Sequence, residues 1–86
     1  MDTRALAVFL SLAETLSFSR SGELLHMSVS AVSRTLRRLE DELGQPLLER
    51  DNRRVQLTGA GREFREYARR SIADWQRLRR KLGSEE

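Results

Sequence analysis

In the stretch SVSAVSRTLRRLEDELG, residues 28 to 44, Ser28, Ser30 and Ser33 are followed by Arg34, Arg37 and Arg38. Hydroxyl and guanidinium groups at this spacing can hydrogen-bond to phosphates and to base edges. Covalent catalysis is a poor fit, because no general base is spaced to activate Ser33 beside Arg34. His26 is the only histidine and there is no cysteine, so the usual nitrogen and sulfur ligands of a metal site are missing. At the end of a helical stretch His26 reads as a C-terminal cap or turn residue. The expectation is a binding protein with no enzymatic activity, no cofactor and no metal.

The segment is helical in its second half, and a wheel of about 100° per residue sorts its side chains. Val32, Leu36, Leu39 and Leu43 share a narrow arc and are predicted to face the core. Ser30, Arg34 and Arg37 lie opposite, with Ser33 and Arg38 on the borders. Early serines suit this place. The first turn of a helix leaves N–H groups unpaired and carries partial positive charge, so short hydroxyls can cap it and still let a phosphate or base edge come close. One turn later an arginine can extend to guanine O6/N7 or to a phosphate. The acidic run Glu40, Asp41 and Glu42 follows only in the last turns. Serine caps and solvated arginines are common without any ligand, so this face acquires meaning only from the elements around it.

Residues 3 to 16 place Leu6, Phe9, Leu10, Ala13 and Leu16 at helical spacing, with Thr3 or Asp2 as cap. After Ser17 a short second helix is predicted from about Ser19, with Phe18 just before its cap and Leu25 turned inward. The turn HMS is short, and Met27 can fill the angle between the second and third helices. Gly44 and Pro46 end the third helix near Leu43. From Gln45 to Leu57 the period becomes two, with Leu47, Val55 and Leu57 flanking the polar turn RDNRR: a short β-hairpin whose tip carries Arg50, Arg53 and Arg54. Thr58 caps a helix running to about Leu82, roughly 36 Å long, and GSEE is expected to fray. The parts assemble into a mainly α fold: a winged helix-turn-helix of three helices and a β-hairpin wing over residues 1–57, followed by a long helix and tail over residues 58–86.

Composition agrees with a small binding domain. Eighty-six residues with 38% hydrophobic content bury only about 60–65% of their unfolded surface, so a partner subunit would help. The net charge is +3, and 15 of the 16 basic residues are arginine, whose planar fork matches phosphates and guanine edges. No apolar run approaches the ~20 residues that span a bilayer. Asp2, Arg4 and Glu14 do not fit a signal peptide, so a cytoplasmic protein is expected. On the long helix Phe64, Ala68, Ile72, Trp75, Leu78 and Leu82 recur every three or four residues. Trp75 and Tyr67 could stack on bases, but an apolar stripe of this length reads as the core of a homodimer.

From FLSLAETLSFSRSGELLHMSVSAVSRTLRRLEDELGQPLLERDNRRVQLTGAG into the long helix, the chain resembles the N-terminal DNA-binding region of LysR-type transcriptional regulators. The resemblance rests on Phe18, SAVSRTLRRLEDELG, PLLER and LTGAG. It implies that Val29, Ser30, Ser33, Arg34 and Arg37 contact DNA, that Arg50, Arg53 and Arg54 belong to the wing, and that the helix from Thr58 is the linker through which two copies dimerise. With Ser28 and Arg38 from the wheel, these residues make up the expected interface with double-stranded DNA. HMSVS with LGQPLLERDNRRVQLT is most similar to the subfamily serving branched-chain amino acid biosynthesis. The chain departs from the family at Ser21 and Gly22, where two alanines are usual and a looser second helix is expected, and at Val29, where glutamine is frequent and contact with a thymine methyl is the alternative. The family's ligand-sensing domain, and with it any small-molecule effector, is expected beyond these residues. A rival function is a winged-helix protein dock without DNA readout. RNA is a distant third, because the deep A-form groove excludes a recognition helix.

Overall fold

The computed structural model describes residues 1–51 and 54–83. Its elements run α1 (Thr3–Thr15), α2 (Phe18–Leu25), α3 (Val29–Leu43), β1 (Leu48–Arg50), β2 (Val55–Leu57) and α4 (Gly59–Gly83). The strands pair antiparallel, with Leu48 opposite Leu57 and Arg50 opposite Val55.

Each helix starts where a short polar side chain accepts from the backbone. Asp2 Oδ1 accepts from Ala5 N at 2.8 Å, Ser17 Oγ from Arg20 N at 3.1 Å, Ser28 Oγ from Ala31 N at 3.0 Å and Thr58 Oγ1 from Gly61 N at 2.9 Å. Such caps satisfy donors that a helix cannot pair within itself. Ser17 is the cap of α2 and Phe18 its first residue, one position earlier than the spacing predicts. Leu16 at φ 53°, His26 at φ 57° and Gly44 at φ 69° end α1, α2 and α3.

The core is centred on α1, which packs against α2, α3 and α4. Leu6, Val8, Phe9, Leu12 and Ala13 are buried from α1, Val32, Leu36 and Leu39 from α3, Leu47 and Leu48 from the start of the wing, and Phe64 and Ala68 from α4. Leu16 was expected in the buried stripe, but it falls past the end of α1 and is exposed. Val8 and Leu12 are buried although the one-sided pattern omits them, because α1 is covered on more than one side.

Two assignments on the apolar arcs change. Leu43 was expected in the core and, in the last turn of α3, is 38% exposed. It lines an open groove with Gln45, Leu47, Ala60, Glu63 and Phe64. Phe64 and Ala68 were expected at a dimer seam. They lie in the domain's own core, Phe64 7% and Ala68 0% exposed, with the Phe64 ring edge-on to Phe9 at a centroid distance of 5.1 Å. Ile72 is partly buried on the same core. α1 supplies the cover that the reading of the stripe assigned to a second copy. Past Ile72 the stripe is uncovered: Trp75 is 43% exposed, and Leu78 and Leu82 are more so.

At its departures from the family the second helix is closely packed. Ser21 is fully buried and hydrogen-bonds to Ser11 Oγ at 3.0 Å and Thr15 Oγ1 at 2.8 Å, joining α1 to α2. At Gly22 a Cβ would lie 2.7 Å from the Met27 carbonyl oxygen, so the close turn into α3 uses the absence of a side chain.

Candidate nucleic-acid interface

α3 presents most of the candidate interface residues by the same amphipathic pattern that buries Val32, Leu36 and Leu39. Once those three enter the core, Ser30, Arg34 and Arg37 must face outward, and all three are exposed; Val29 shares the angular position of Leu36 and is exposed as well, as the first residue of the helix. With half-buried Ser33 they line one shallow concavity. Ser28 stands at its N-terminal edge. Its oxygen is engaged as a cap, which leaves the hydroxyl hydrogen to donate outward. Val29 is 49% exposed and offers an apolar contact in the first turn. Thr35 turns its hydroxyl back onto the Ala31 carbonyl at 3.0 Å and lines the crevice beside Arg38 instead.

Arg38 is not brought into this concavity. It lines a separate crevice with Met1, Asp2, Ala5, Thr35, Leu39 and Glu42, on the flank of α3 that meets the start of α1. There the N-terminal ammonium reaches Glu42 Oε2 at 3.2 Å.

The wing is tied to α3 by a carboxylate that the sequence reading left as a trailing charge. Glu40 Oε2 accepts from Leu47 N at 2.8 Å and, more weakly, from Leu48 N at 3.4 Å. Its main-chain carbonyl accepts from Gly44 N and Gln45 N. The available signal was its place on the wheel, at the edge of the arc formed by Leu36, Leu39 and Leu43. Thr58 closes the other end of the hairpin: its hydroxyl donates to Pro46 O at 2.7 Å, and its N–H to Leu47 O at 3.0 Å. The wing is thus hung between the last turns of α3 and the first turn of α4.

Beside the hairpin tip Asp51 Oδ1 accepts from Arg54 N at 2.8 Å, and Asp51 N–H donates to Arg54 O at 3.1 Å, so these two residues are paired. Arg54 is exposed; Arg53, the third arginine expected in the wing, lies outside the described residues. Arg50 lies with its guanidinium carbon 4.1 Å from the centroid of the Phe18 ring. That contact was not foreseen, although both residues were singled out.

Among the described residues no group of three or more His, Cys, Asp or Glu side chains could hold a metal ion, and no helix is long and apolar enough to cross a membrane.

Three helices, a short turn into an outward-facing α3 and a two-stranded wing define a winged helix-turn-helix protein. Residues 3–62 match the family described as bacterial regulatory helix-turn-helix protein, lysR family, and the chain belongs to that family. The HTH-type transcriptional activator IlvY of Salmonella typhimurium is 50% identical over 82 residues, 95% of this chain and 28% of that protein. The HTH-type transcriptional regulator IlvY of Escherichia coli strain K12 is 51% identical over 79 residues, 92% of this chain and 27% of that protein. Within the family the sequence is therefore IlvY-like, and it spans less than a third of the length of these relatives. Among solved structures, the DNA-binding domain of CbnR in complex with DNA matches with a TM-score of 0.92 at 34% identity, over 98% of this chain and 97% of that one. The BenM DNA-binding domain in complex with catB site 1 DNA matches with a TM-score of 0.92 at 31% identity, over 98% and 94%.

Proposed function

We propose that this chain is the sequence-reading part of a homodimeric LysR-type bacterial transcription regulator, acting in the cytoplasm on double-stranded operator DNA. α3 enters the major groove with Val29, Ser30, Ser33, Arg34 and Arg37 toward base edges and phosphates, Ser28 at its start and Arg38 on its flank. The wing arginines Arg50, Arg53 and Arg54 meet the flanking backbone or minor groove. Residues 1–57 supply the reading surface and residues 58–86 the linker helix and tail, with exposed Trp75, Leu78 and Leu82 of the helix forming the seam between copies. Response to a small-molecule effector belongs outside these residues, and no cofactor and no catalysis enter this reading.

The observation that carries the proposal is the outer face of α3. It presents two exposed arginines and exposed Val29 and Ser30 in one concavity, and no ion pair ties Arg34 or Arg37 to the rest of the described residues. A face of this kind on a domain matching DNA-bound relatives throughout is best used on DNA.

The test is selection of duplexes from a random-sequence library, followed by equilibrium binding at rising salt. Neutralised phosphates release counterions, so log K must fall linearly with log salt. Arg34→Ala should keep the fold, weaken binding by ~1–3 kcal/mol and relax preference at one base position. A chain that selects no duplex, or whose binding ignores salt, would instead be a protein dock. Unchanged affinity and sequence preference in Arg34→Ala would remove that residue from the reading surface.

A further inference from the structure

We propose that Phe18 is a positioning residue for DNA binding, whose ring fixes the plane of the Arg50 guanidinium so that the wing offers a preset two-pronged donor to a backbone phosphate. The inference rests on the DNA-binding reading and adds a residue of α2 to it.

Arg50 closes β1, far from Phe18 in sequence, yet its guanidinium carbon stands 4.1 Å from the centre of the Phe18 ring. The ring is a firm platform. Phe18 is half-buried against the core as the first residue of α2. The residue before it is held twice, Ser17 Oγ accepting from Arg20 N and Ser17 N donating to Thr15 Oγ1, each at 3.1 Å.

A guanidinium lying over an aromatic ring uses its π face, whereas its five N–H donors lie in its own plane. In the proposed geometry Arg50 takes this flat orientation over the Phe18 ring, which leaves the fork free. Arg50 is exposed, and among the described residues no carboxylate pairs with it. Asp51, the adjacent acid, is turned to the Arg54 N–H. A fork held in one plane with open donors fits two oxygens of a phosphate, a geometry that arginine meets and lysine does not. An unsupported arginine must give up rotamer freedom when it binds; the ring removes part of that loss beforehand. The same contact joins the wing to α2, so the two approach the DNA backbone as one surface.

The test is a double-mutant cycle on a duplex selected by the wild-type chain, with Phe18→Leu, Phe18→Tyr, Arg50→Ala and Phe18→Leu/Arg50→Ala, each also melted thermally. Leucine keeps apolar bulk and removes the ring quadrupole. Phe18→Leu is expected to weaken binding about two- to fivefold when Arg50 is present and to add nothing to Arg50→Ala; Phe18→Tyr restores wild-type affinity. Arg50→Ala should also lower the salt slope by about one contact, whereas Phe18→Leu leaves the slope unchanged. Equal losses from Phe18→Leu in both backgrounds, or none in either, overturn the proposal. If the wild-type chain selects no duplex, the DNA-binding reading itself has failed; if it does and the cycle is additive, only the role of Phe18 has.

Discussion

Replacing Gly61 by alanine sets two effects of opposite sign against each other. Helix propensity favours alanine in a helix interior by ~1 kcal/mol. The structure opposes it. Gly61 is buried in the first turn of α4, and a methyl built there would run into the Leu47 carbonyl oxygen while lying 3.1 Å from its carbonyl carbon and 3.1 Å from Leu57 Cδ2. The Leu47 peptide has little room to retreat. Its oxygen accepts from Thr58 N, its N–H is held by the Glu40 carboxylate, and its side chain is 1% exposed. Overpacking a site of this kind costs ~1–3 kcal/mol, and losing the Thr58 bond adds ~0.5–1.5 kcal/mol. The clash wins by about 0.5–3.5 kcal/mol once propensity is subtracted.

For a domain of this size each kcal/mol moves the melting temperature by about 4–8 °C, so Gly61→Ala should melt roughly 2–28 °C below wild type. Circular dichroism melts at one fixed protein concentration read this directly, because the proposed dimerisation would make Tm depend on concentration. Gly59→Ala is the control. Its Cβ would meet only Arg62 Nη2, at 3.9 Å, and that variant should melt at or slightly above wild type. If Gly61→Ala also melted at or above wild type, the close approach of α4 to Leu47 would not constrain the fold, and the account of how the wing is held would be wrong.

Ser28→Ala removes the cap on α3 and should cost ~1 kcal/mol in thermal melts; no loss would mean that the 3.0 Å bond to Ala31 N contributes nothing. The two halves of the α4 stripe should separate by experiment. Phe64→Ala, in the core, should destabilise the folded chain by ~3–5 kcal/mol. Trp75→Asp should leave the helical signal intact and shift sedimentation from dimer to monomer, and a dimer indifferent to that charge would remove Trp75 from the seam.

What could be read from the residues alone was whatever depended on near neighbours in the chain. The ends of α3 follow from Ser28 and Gly44, its inner face from Val32, Leu36 and Leu39, the wing from a change of period, and the start of α4 from Thr58. Each is decided within a few residues. What escaped depends on cover from elsewhere. Nothing local to Phe64 and Ala68 distinguishes burial under α1 from burial under a second copy, and Val8 and Leu12 look solvent-facing until α1 is seen to be enclosed. Glu40 shares its charge with Asp41 and Glu42, but only Glu40 meets the peptide N–H groups that begin the wing. On the candidate interface, the exposure of Ser30, Arg34 and Arg37 followed from the inner face of α3, whereas that of Val29, on the same arc as Leu36, did not. The Arg50–Phe18 contact required the wing to be folded back to the start of α2.

Those corrections bear on how two copies would read DNA together. α4 is one unbroken helix from Gly59 to Gly83, anchored at its start by Phe64 and Ala68 and free only beyond Ile72. No proline, loop or change of helix type offers a hinge between the anchored turns and the exposed ones. The recognition helix is fixed to the same body, because α1 packs against both α3 and α4. In the proposed dimer the separation and rotation of the two recognition helices are therefore set by the seam at Trp75, Leu78 and Leu82 and transmitted without slack. Half-sites should lie about one turn, ~34 Å, or a longer interval apart, and inserting about half a turn of DNA should carry one half-site to the far side of the duplex. Binding to such a site should fall toward that of a single half-site and recover on insertion of a full turn of ~10 bp. Equal affinity at every spacing would show that the heads swivel independently, and the rigid path from Phe9 through Phe64 to Trp75 would then not govern the dimer.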